Sequence, residues 1–250
     1  MNKDEIKKAA QIILDSKLTL ALTGAGISVE SGIPDFRSPG GLWERYNPAE
    51  YGTIWAFRDD ATKVWKMIRE MSEVVDRAQP NPAHLGLSQL QHLGLLHTII
   101  TQNIDSLHQK AGATTVLEYH GSSRTLSCLT CGARYNAEAK KEDFPPRCDC
   151  TAILKPDVVF FGETIPLEAL RESQLLASSC SALLVIGTSA EVAPANTIPR
   201  TAKLAGARII EINVRPTVLT SSFTDIFLQG KASSIMIRLV EEVQDLLGIG

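Results

Sequence analysis

Short apolar runs ending in small or polar residues recur along the chain, and stretches with helical periodicity separate them. LTLALTGAG comes first; HTIITQN, TTVLEYH, DVVFF, SALLVIGTS, ARIIEIN and DIFLQG follow. Strands joined through helices do not pair as hairpins. They build a parallel sheet covered on both faces. The helical stretches agree: Ile6, Ala9, Ala10 and Ile13 share one face of residues 3–15, and Val64, Ile68, Met71 and Val75 recur through 59–77. Further helices are expected over 82–93, 167–177, 195–205 and 232–247. The passage SGIPDFRSPGGLWERYNP reads as irregular. The expected fold class is α/β, a Rossmann-like parallel sheet with helices on both faces. Its 250 residues suffice for one large domain with a small satellite.

Ligands of open α/β sheets sit at the carboxyl ends of the strands, so those ends carry the functional reading. The first is Thr23-Gly24-Ala25-Gly26-Ile27-Ser28. Glycines allow a tight turn and a close backbone approach to a pyrophosphate. The dinucleotide fingerprint would add a glycine at 29, where this chain has Val29. Alone, the turn fits either a phosphate site or a ligand-free connection. Gly187, Thr188 and Ser189 end another strand and Asn213 a third, offering hydroxyls and an amide to phosphate or ribose, or simply starting turns. Thr101, Gln102, Asn103, Asp105 and His108 cluster after HTII. His120 closes the VLEYH run and is either a general base or a structural histidine. His84, His92 and His97 have no chemical neighbours in sequence and read as structural. No serine elbow or activated cysteine is recognisable, which favours a cofactor-dependent reaction with one base over acyl-enzyme hydrolysis.

Residues 128–150 break the rhythm. Cys128 and Cys131 form C-x-x-C, and Cys148 and Cys150 follow as C-x-C. Four thiolates at such spacing suit a closed, tetrahedral zinc site of structural type, and the metal would stabilise a module too small for its own core. A redox pair is the competing reading. Cys180, before an apolar run, reads as a small buried hydrophobe. The net charge of −3 argues against bulk nucleic-acid binding. No segment resembles a membrane span or signal peptide, so the expected location is cytoplasmic. Oligomeric state stays open, with a monomer as the simplest expectation.

Taken together and in order, GAGISVESGIPDFRS, TQNIDSLHQKAG, EYHGS, the four cysteines, KPDVVFFGE, GTSAEVAPA and EIN resemble the sirtuin family of NAD-dependent protein-lysine deacylases. The resemblance runs from about residue 18 to 235. It implies NAD as co-substrate, structural zinc, and acylated lysines of proteins as partners. It implies cofactor contacts from Gly24, Ala25, Gly26, Ile27 and Glu30, from the mobile loop Asp35, Phe36 and Arg37, and from Gly187, Thr188, Ser189, Asn213, Lys231 and Ala232. Gln102, Asn103 and Asp105 would hold the nicotinamide end, with Asn103, Asp105 and His120 catalytic. The acyl-lysine carbonyl oxygen would attack the ribose carbon that nicotinamide leaves, and His120 would take a proton relayed through the ribose hydroxyls. The products would be free lysine, nicotinamide and O-acetyl-ADP-ribose. Val158, Val159, Phe160, Phe161, Gly162 and Glu163 resemble the strand that pairs with the substrate peptide, with 190–194 on its other side. The implied division is 1–35, 81–125 and 157–250 for the NAD domain, 36–80 for the cofactor loop and helical lobe, and 126–156 for the zinc module.

The chain departs from the family twice. C-x-C replaces the usual second C-x-x-C. The Tyr and Arg that bind charged acyl groups in some members fall here on Ile68 and Met71, while Arg69 lies on another helix face. Acetyl, or a longer uncharged acyl group, is therefore expected over succinyl. The rivals are a sirtuin-like protein ADP-ribosyltransferase, a non-catalytic NAD-sensing module and an ordinary nicotinamide dehydrogenase. The presence of His120 and FFGE weighs against the first, the full set of site residues against the second, and the broken glycine fingerprint against the third.

Overall fold

The computed structural model describes residues 3–249. The strands are β1 Thr19–Thr23, β2 Thr98–Thr101, β3 Val116–Glu118, β4 Gly121–Ser127, β5 Arg134–Asn136, β6 Lys155–Val158, β7 Ala182–Ile186, β8 Arg208–Asn213 and β9 Ile226–Gln229. The α-helices are α1 Lys3–Asp15, α2 Leu42–Arg45, α3 Pro48–Tyr51, α4 Ile54–Asp59, α5 Ala61–Arg77, α6 Pro82–His92, α7 Leu107–Lys110, α8 Leu167–Ser179, α9 Thr197–Leu204 and α10 Ala232–Leu247.

Six parallel strands form the main sheet in the order β3-β2-β1-β7-β8-β9. Side chains alternate across it, as the strand period requires. Ala21, Ile99, Leu184, Ile186, Ile210 and Ile212 face a core filled by α1, α6 and α10. Leu20, Leu22, Ile100, Leu183, Val185 and Ile209 face the opposite core, filled by α8 and α9. Burial on both faces explains why these runs read as continuous apolar stretches. The chain goes from β1 outward through β2 to β3, then returns to β7 on β1's other side. The order therefore reverses between β1 and β7, and a crevice opens at their carboxyl ends.

A second sheet, β5-β4-β6, is antiparallel. The DVVFF run contributes only its first residues to a strand, and that strand lies here, against β4. The polar GSSRTLS sequence of β4 lacks a strand-like apolar pattern and carries no strand signal. The passage expected to be irregular holds one short helix, α2, and runs into a second, α3, at Pro48. The second starts where Asn47 accepts the Ala49 N–H at 3.0 Å and Pro48 occupies the first turn. Thr53 and Asp60 cap α4 and α5 in the same way, at 3.0 and 2.9 Å.

These helices share one core with the small sheet. Ile54, Phe57, Val64, Trp65 and Met67 pack with Leu126, Cys128, Cys148, Leu154 and Phe160. The Trp65 indole N–H donates to the Leu154 carbonyl at 2.8 Å, joining α5 to the cysteine-bearing segment. No helix among the described residues is long and apolar enough to cross a membrane.

Candidate active site and metal centre

The glycine-rich turn after β1 and the Gly187 turn after β7 meet at the switch point. Gly26 N–H donates to Gly187 C=O at 2.8 Å, and Gly24 N–H to Ile186 C=O at 3.1 Å. A Cβ on Gly26 would lie 2.8 Å from Gly187 Cα; one on Gly187, whose φ is +61°, would lie 2.3 Å from the Ile27 nitrogen. Two strand ends approach here as closely as backbones can, so glycine is required by packing. Ile27 points into the core, while the Ala25 N–H meets no protein acceptor among the described residues. Gln102 Nε2 donates to Thr188 Oγ1 at 3.1 Å, and Asn213 Nδ2 to the Thr188 carbonyl at 3.0 Å. The ends of β2, β7 and β8 are thereby tied together, with Ser189 exposed beside them. A free N–H in a glycine turn, a hydroxyl and amides converging at a switch point suit a dinucleotide.

Beneath this crevice lies a buried polar network. Ser28 O–H donates to Asp105 Oδ2 at 2.7 Å, and Asp105 Oδ1 accepts the Leu107 N–H at 2.9 Å. Asn103 Nδ2 donates to the Gly24 carbonyl at 3.2 Å and to Ser28 Oγ at 3.1 Å. His84 accepts the Asn81 N–H on Nδ1, which leaves its Nε2–H facing Ser28 Oγ at 3.4 Å. Thr23 O–H donates to Thr101 Oγ1 at 2.9 Å, so His108 Nε2, 2.9 Å from Thr23 Oγ1, is its donor. Thr101 Oγ1 also accepts the Asn103 N–H at 3.1 Å. The two imidazoles lie 4.9 Å apart. Burial pushes His84 down to about 4, with Asp105 opposing, and pushes His108 down to about 3, so both are neutral at pH 7. Reading His84 as structural missed its place beside Asp105 and Ser28. The Asn81–His84 capping box is the one local signal, and Ser28 and Asp105 lie 56 and 21 residues from His84.

His120 sits between the main sheet and the small one. Its Nδ1 is 3.0 Å from the Gln102 carbonyl, so Nδ1 carries the proton and Nε2 keeps a lone pair. Burial lowers its pKa, and the Gln102 carbonyl opposes that. The His120 carbonyl accepts the Val159 N–H at 2.9 Å, which places the segment after β6 beside the His120 backbone. Along that segment, Phe161 exchanges bonds with Gly52 and Ile54 at 2.9 and 3.0 Å. The Phe160 ring is buried against Phe57, 5.7 Å between centroids. Glu163 pairs with Lys155 at 2.9 Å, and Lys155 also donates to the Val158 carbonyl at 2.8 Å. Gly162 has φ +88°, with the Trp55 ring covering the place of a side chain. Among the described residues, no protein group takes the Val159 carbonyl.

The 35–37 loop folds on itself. Asp35 accepts from Arg37 N–H at 3.0 Å and from Ser38 N–H and O–H at 2.7 and 2.5 Å. Partial burial raises its pKa, but these bonds outweigh that and hold the carboxyl below its ordinary value. Phe36 is half exposed against Trp43, and Arg37 pairs with Glu191. Glu30 accepts the Ser233 N–H at 3.0 Å, joining the glycine-rich turn to the first turn of α10, where Lys231 is N-cap and Ala232 is buried.

The cysteines meet. All four Sγ atoms lie within 4.8 Å of one another, with Cys128–Cys150 and Cys131–Cys148 at 3.5 Å. Zinc–sulfur bonds of about 2.3 Å in a tetrahedron require sulfurs about 3.8 Å apart. The donor set and its dimensions fit structural zinc. The shorter C-x-C pair closes because each half is a knuckle. Cys128 N–H donates to the Ala133 carbonyl at 2.8 Å and Cys148 N–H to the Ala152 carbonyl at 2.9 Å. Gly132 and Thr151 supply the positive φ in the two turns, +77° and +72°. Cys180 stands apart, buried in the main core.

Comparison with known proteins agrees with this arrangement. The family model described as the Sir2 family matches residues 24–194. "NAD-dependent protein deacylase 2" of Pyrobaculum aerophilum is 48% identical over 236 residues, which is 94% of each chain. A Sir2 homolog–NAD complex superimposes with a TM-score of 0.90 at 43% identity, covering 96% of this chain and 94% of that one. A Sir2 variant with a deacetylated p53 peptide and 3′-O-acetyl-ADP-ribose gives a TM-score of 0.89 at 34% identity, over 95% and 98%. The chain belongs to the Sir2 family.

Proposed function

We propose that this protein is an NAD-dependent protein-lysine deacetylase that moves the acetyl group of lysine onto ADP-ribose, with His120 as general base. The observation that carries the reading is His120 itself: its proton is fixed on Nδ1 by the Gln102 carbonyl, its basic Nε2 has no protein partner among the described residues, and its backbone carbonyl is bonded to Val159. The curated relative's name and the relatives solved with NAD and with 3′-O-acetyl-ADP-ribose support it.

On this reading Gly24, Ala25, Gly26 and Ile27 line the phosphates, with the free Ala25 N–H directed to an anion. Arg37 exchanges Glu191 for the phosphates, and Phe36 covers the ribose. Thr188, Ser189 and Asn213 serve the adenosine ribose, and Lys231 and Ala232 its base, while Glu30 acts through its bond to Ser233. Asn103 and Asp105 hold the nicotinamide end, both oriented by Ser28. Bound there, NAD supplies a ribose carbon activated by departing nicotinamide and hydroxyls that accept the acyl group. His120 Nε2 takes up the proton, and its neutral form is the reactive one. The acyl-lysine peptide adds as a strand along 158–163, where the Val159 carbonyl is available and main-chain pairing tolerates many sequences.

The acyl group is uncharged. Ile68 and Met71 offer no donor, and the Arg69 guanidinium is stacked on the Phe144 ring 3.9 Å away. The proposed division assigns 1–35, 81–125 and 157–250 to the cofactor domain and 36–80 with 126–156 to the smaller lobe, whose sheet and core also take in β4 from Gly121 and Phe160.

The test is mass spectrometry of an acetyl-lysine peptide with and without NAD, beside His120→Ala. Acetyl loss only with NAD, O-acetyl-ADP-ribose as product, and a decrease of about 100-fold or more in the variant are expected. NAD cleavage without acyl loss, with ADP-ribose appearing on the protein substrate, would replace this reading with ADP-ribosyl transfer.

A further inference from the structure

We infer that Lys155 and Glu163 form a buried clasp that sets the shape of the peptide-pairing segment, which makes Lys155 a positioning residue for the acyl-lysine substrate. The inference rests on the proposed deacylase reading and goes beyond it to a residue pair outside the reacting groups.

Lys155 begins β6, and only 7% of its side chain is exposed. An ammonium has three N–H donors, and all three are used. They reach Glu163 Oε2 at 2.9 Å, the Val158 carbonyl at 2.8 Å and the Pro156 carbonyl at 3.0 Å. The same ammonium lies 4.9 Å from the centre of the Phe160 ring. Glu163 Oε2 also accepts the Phe160 N–H at 2.9 Å, while Glu163 N–H donates to the Phe160 carbonyl at 3.0 Å. One carboxylate oxygen thus closes the Phe160–Glu163 turn and anchors it to the start of the strand. Between the anchors lie Val159, bonded to His120, and Gly162, held with φ +88° under Trp55.

Thermodynamics argues that this pair is not there for stability. Desolvating two charges costs about what their attraction returns, and apolar replacements of buried pairs are often neutral. What an apolar pair cannot do is pull two carbonyls, a carboxylate and an aromatic ring around one point. That convergence fixes where the Val159 carbonyl and the Gly162 peptide unit point, and these are groups a pairing peptide reads. The turns after β1 and β7 that line the cofactor crevice share no group with the clasp, and the link to His120 is a backbone bond from Val159 that does not involve the imidazole. Loss of the clasp should therefore fall on the peptide alone.

The experiment compares wild type, Lys155→Met/Glu163→Gln, Glu163→Gln and Lys155→Arg, with thermal unfolding as the folding control. Binding of a fluorescent acetyl-lysine peptide is followed by anisotropy, and deacylation is followed with peptide and NAD varied separately. For Lys155→Met/Glu163→Gln and for Glu163→Gln, the KM and Kd for peptide are expected to rise about tenfold, 1.4 kcal/mol. The KM for NAD and kcat should stay within about twofold of wild type. Lys155→Arg, which keeps the charge and the donors, should restore most of the peptide affinity. A folded Glu163→Gln or double variant with unchanged peptide KM and Kd would overturn the inference and leave the deacylase reading standing. So would KM values for peptide and NAD that rise together. Wild type that neither binds nor deacylates the peptide would overturn both.

Discussion

His120 is the residue on which the chemistry turns, and its surroundings fix its pH dependence. Burial disfavours the imidazolium, and the single carbonyl bond from Gln102 does not make up the difference, so the pKa lies below the ordinary 6.5. The base form is the neutral one. As pH falls through that lowered pKa, the ring protonates and kcat/KM for the acyl peptide should fall about tenfold per unit. Above it, His120 imposes no further dependence. A pH–rate profile checks this: the acid limb should be centred below 6.5, and the residual activity of His120→Ala should lack it. A limb centred above 6.5 would show that His120 is paired with a negative charge that this structure does not place there.

At the scale of elements, α6 and α7 bring His84 and His108 together under the crevice with their rings tilted by 59°, both buried and both neutral. Unfolded, each would titrate at 6.5; folded, they titrate at about 4 and about 3. Above 6.5 neither state holds these protons and the pair's contribution to stability is complete. As pH falls from 6.5 towards 4, the unfolded chain gains two protons that the folded one refuses, and stability should drop by roughly 1 kcal/mol per pH unit for each proton at the steepest. Urea unfolding across that range would measure it. His84→Gln/His108→Gln should flatten the slope, and parallel curves for variant and wild type would contradict the neutral pair. The same helices show what the sequence could and could not display. The six main strands, α1, α6 and α10 were legible because apolar period and burial coincide there. The strand ends marked the crevice, and the cysteines marked their own meeting. His84 was not legible, because Ser28 and Asp105 reach it only through the fold. Lys155 stood in plain view in KPDVVFFGE, yet its four-way contact depends on a turn closed by Glu163. Strands β4 and β5 were hidden because a polar ribbon held by cysteines needs no apolar alternation.

For the whole molecule, a main-sheet lobe with a core on each face and a smaller lobe with a core of its own are joined at the reacting centre. The main sheet buries both faces and holds itself together. The smaller core draws on α4, α5, the small sheet and two of the cysteines, so its sulfurs are part of its packing. Four thiols gathered within 4.8 Å have no reason to stay together as thiolates unless a cation joins them. Structural zinc sites of this kind supply about 10–16 kcal/mol to folding. Removing the metal should therefore loosen residues 126–156, open the Phe57–Phe160 stack and slacken the segment that bonds His120 through Val159. The β1–β7 crevice should persist, because nothing in it touches the cysteines. The expectation is about one zinc per chain, with chelation or Cys150→Ser giving protein that is protease-sensitive near the cysteines. Such protein should fail on acyl peptide yet still be stabilised by NAD in thermal unfolding. Elemental analysis, limited proteolysis and the NAD-induced shift separate the cases. Metal-free protein with full peptide affinity would detach the zinc module from substrate binding, and metal-free protein that NAD no longer stabilises would mean that the two lobes fold as one.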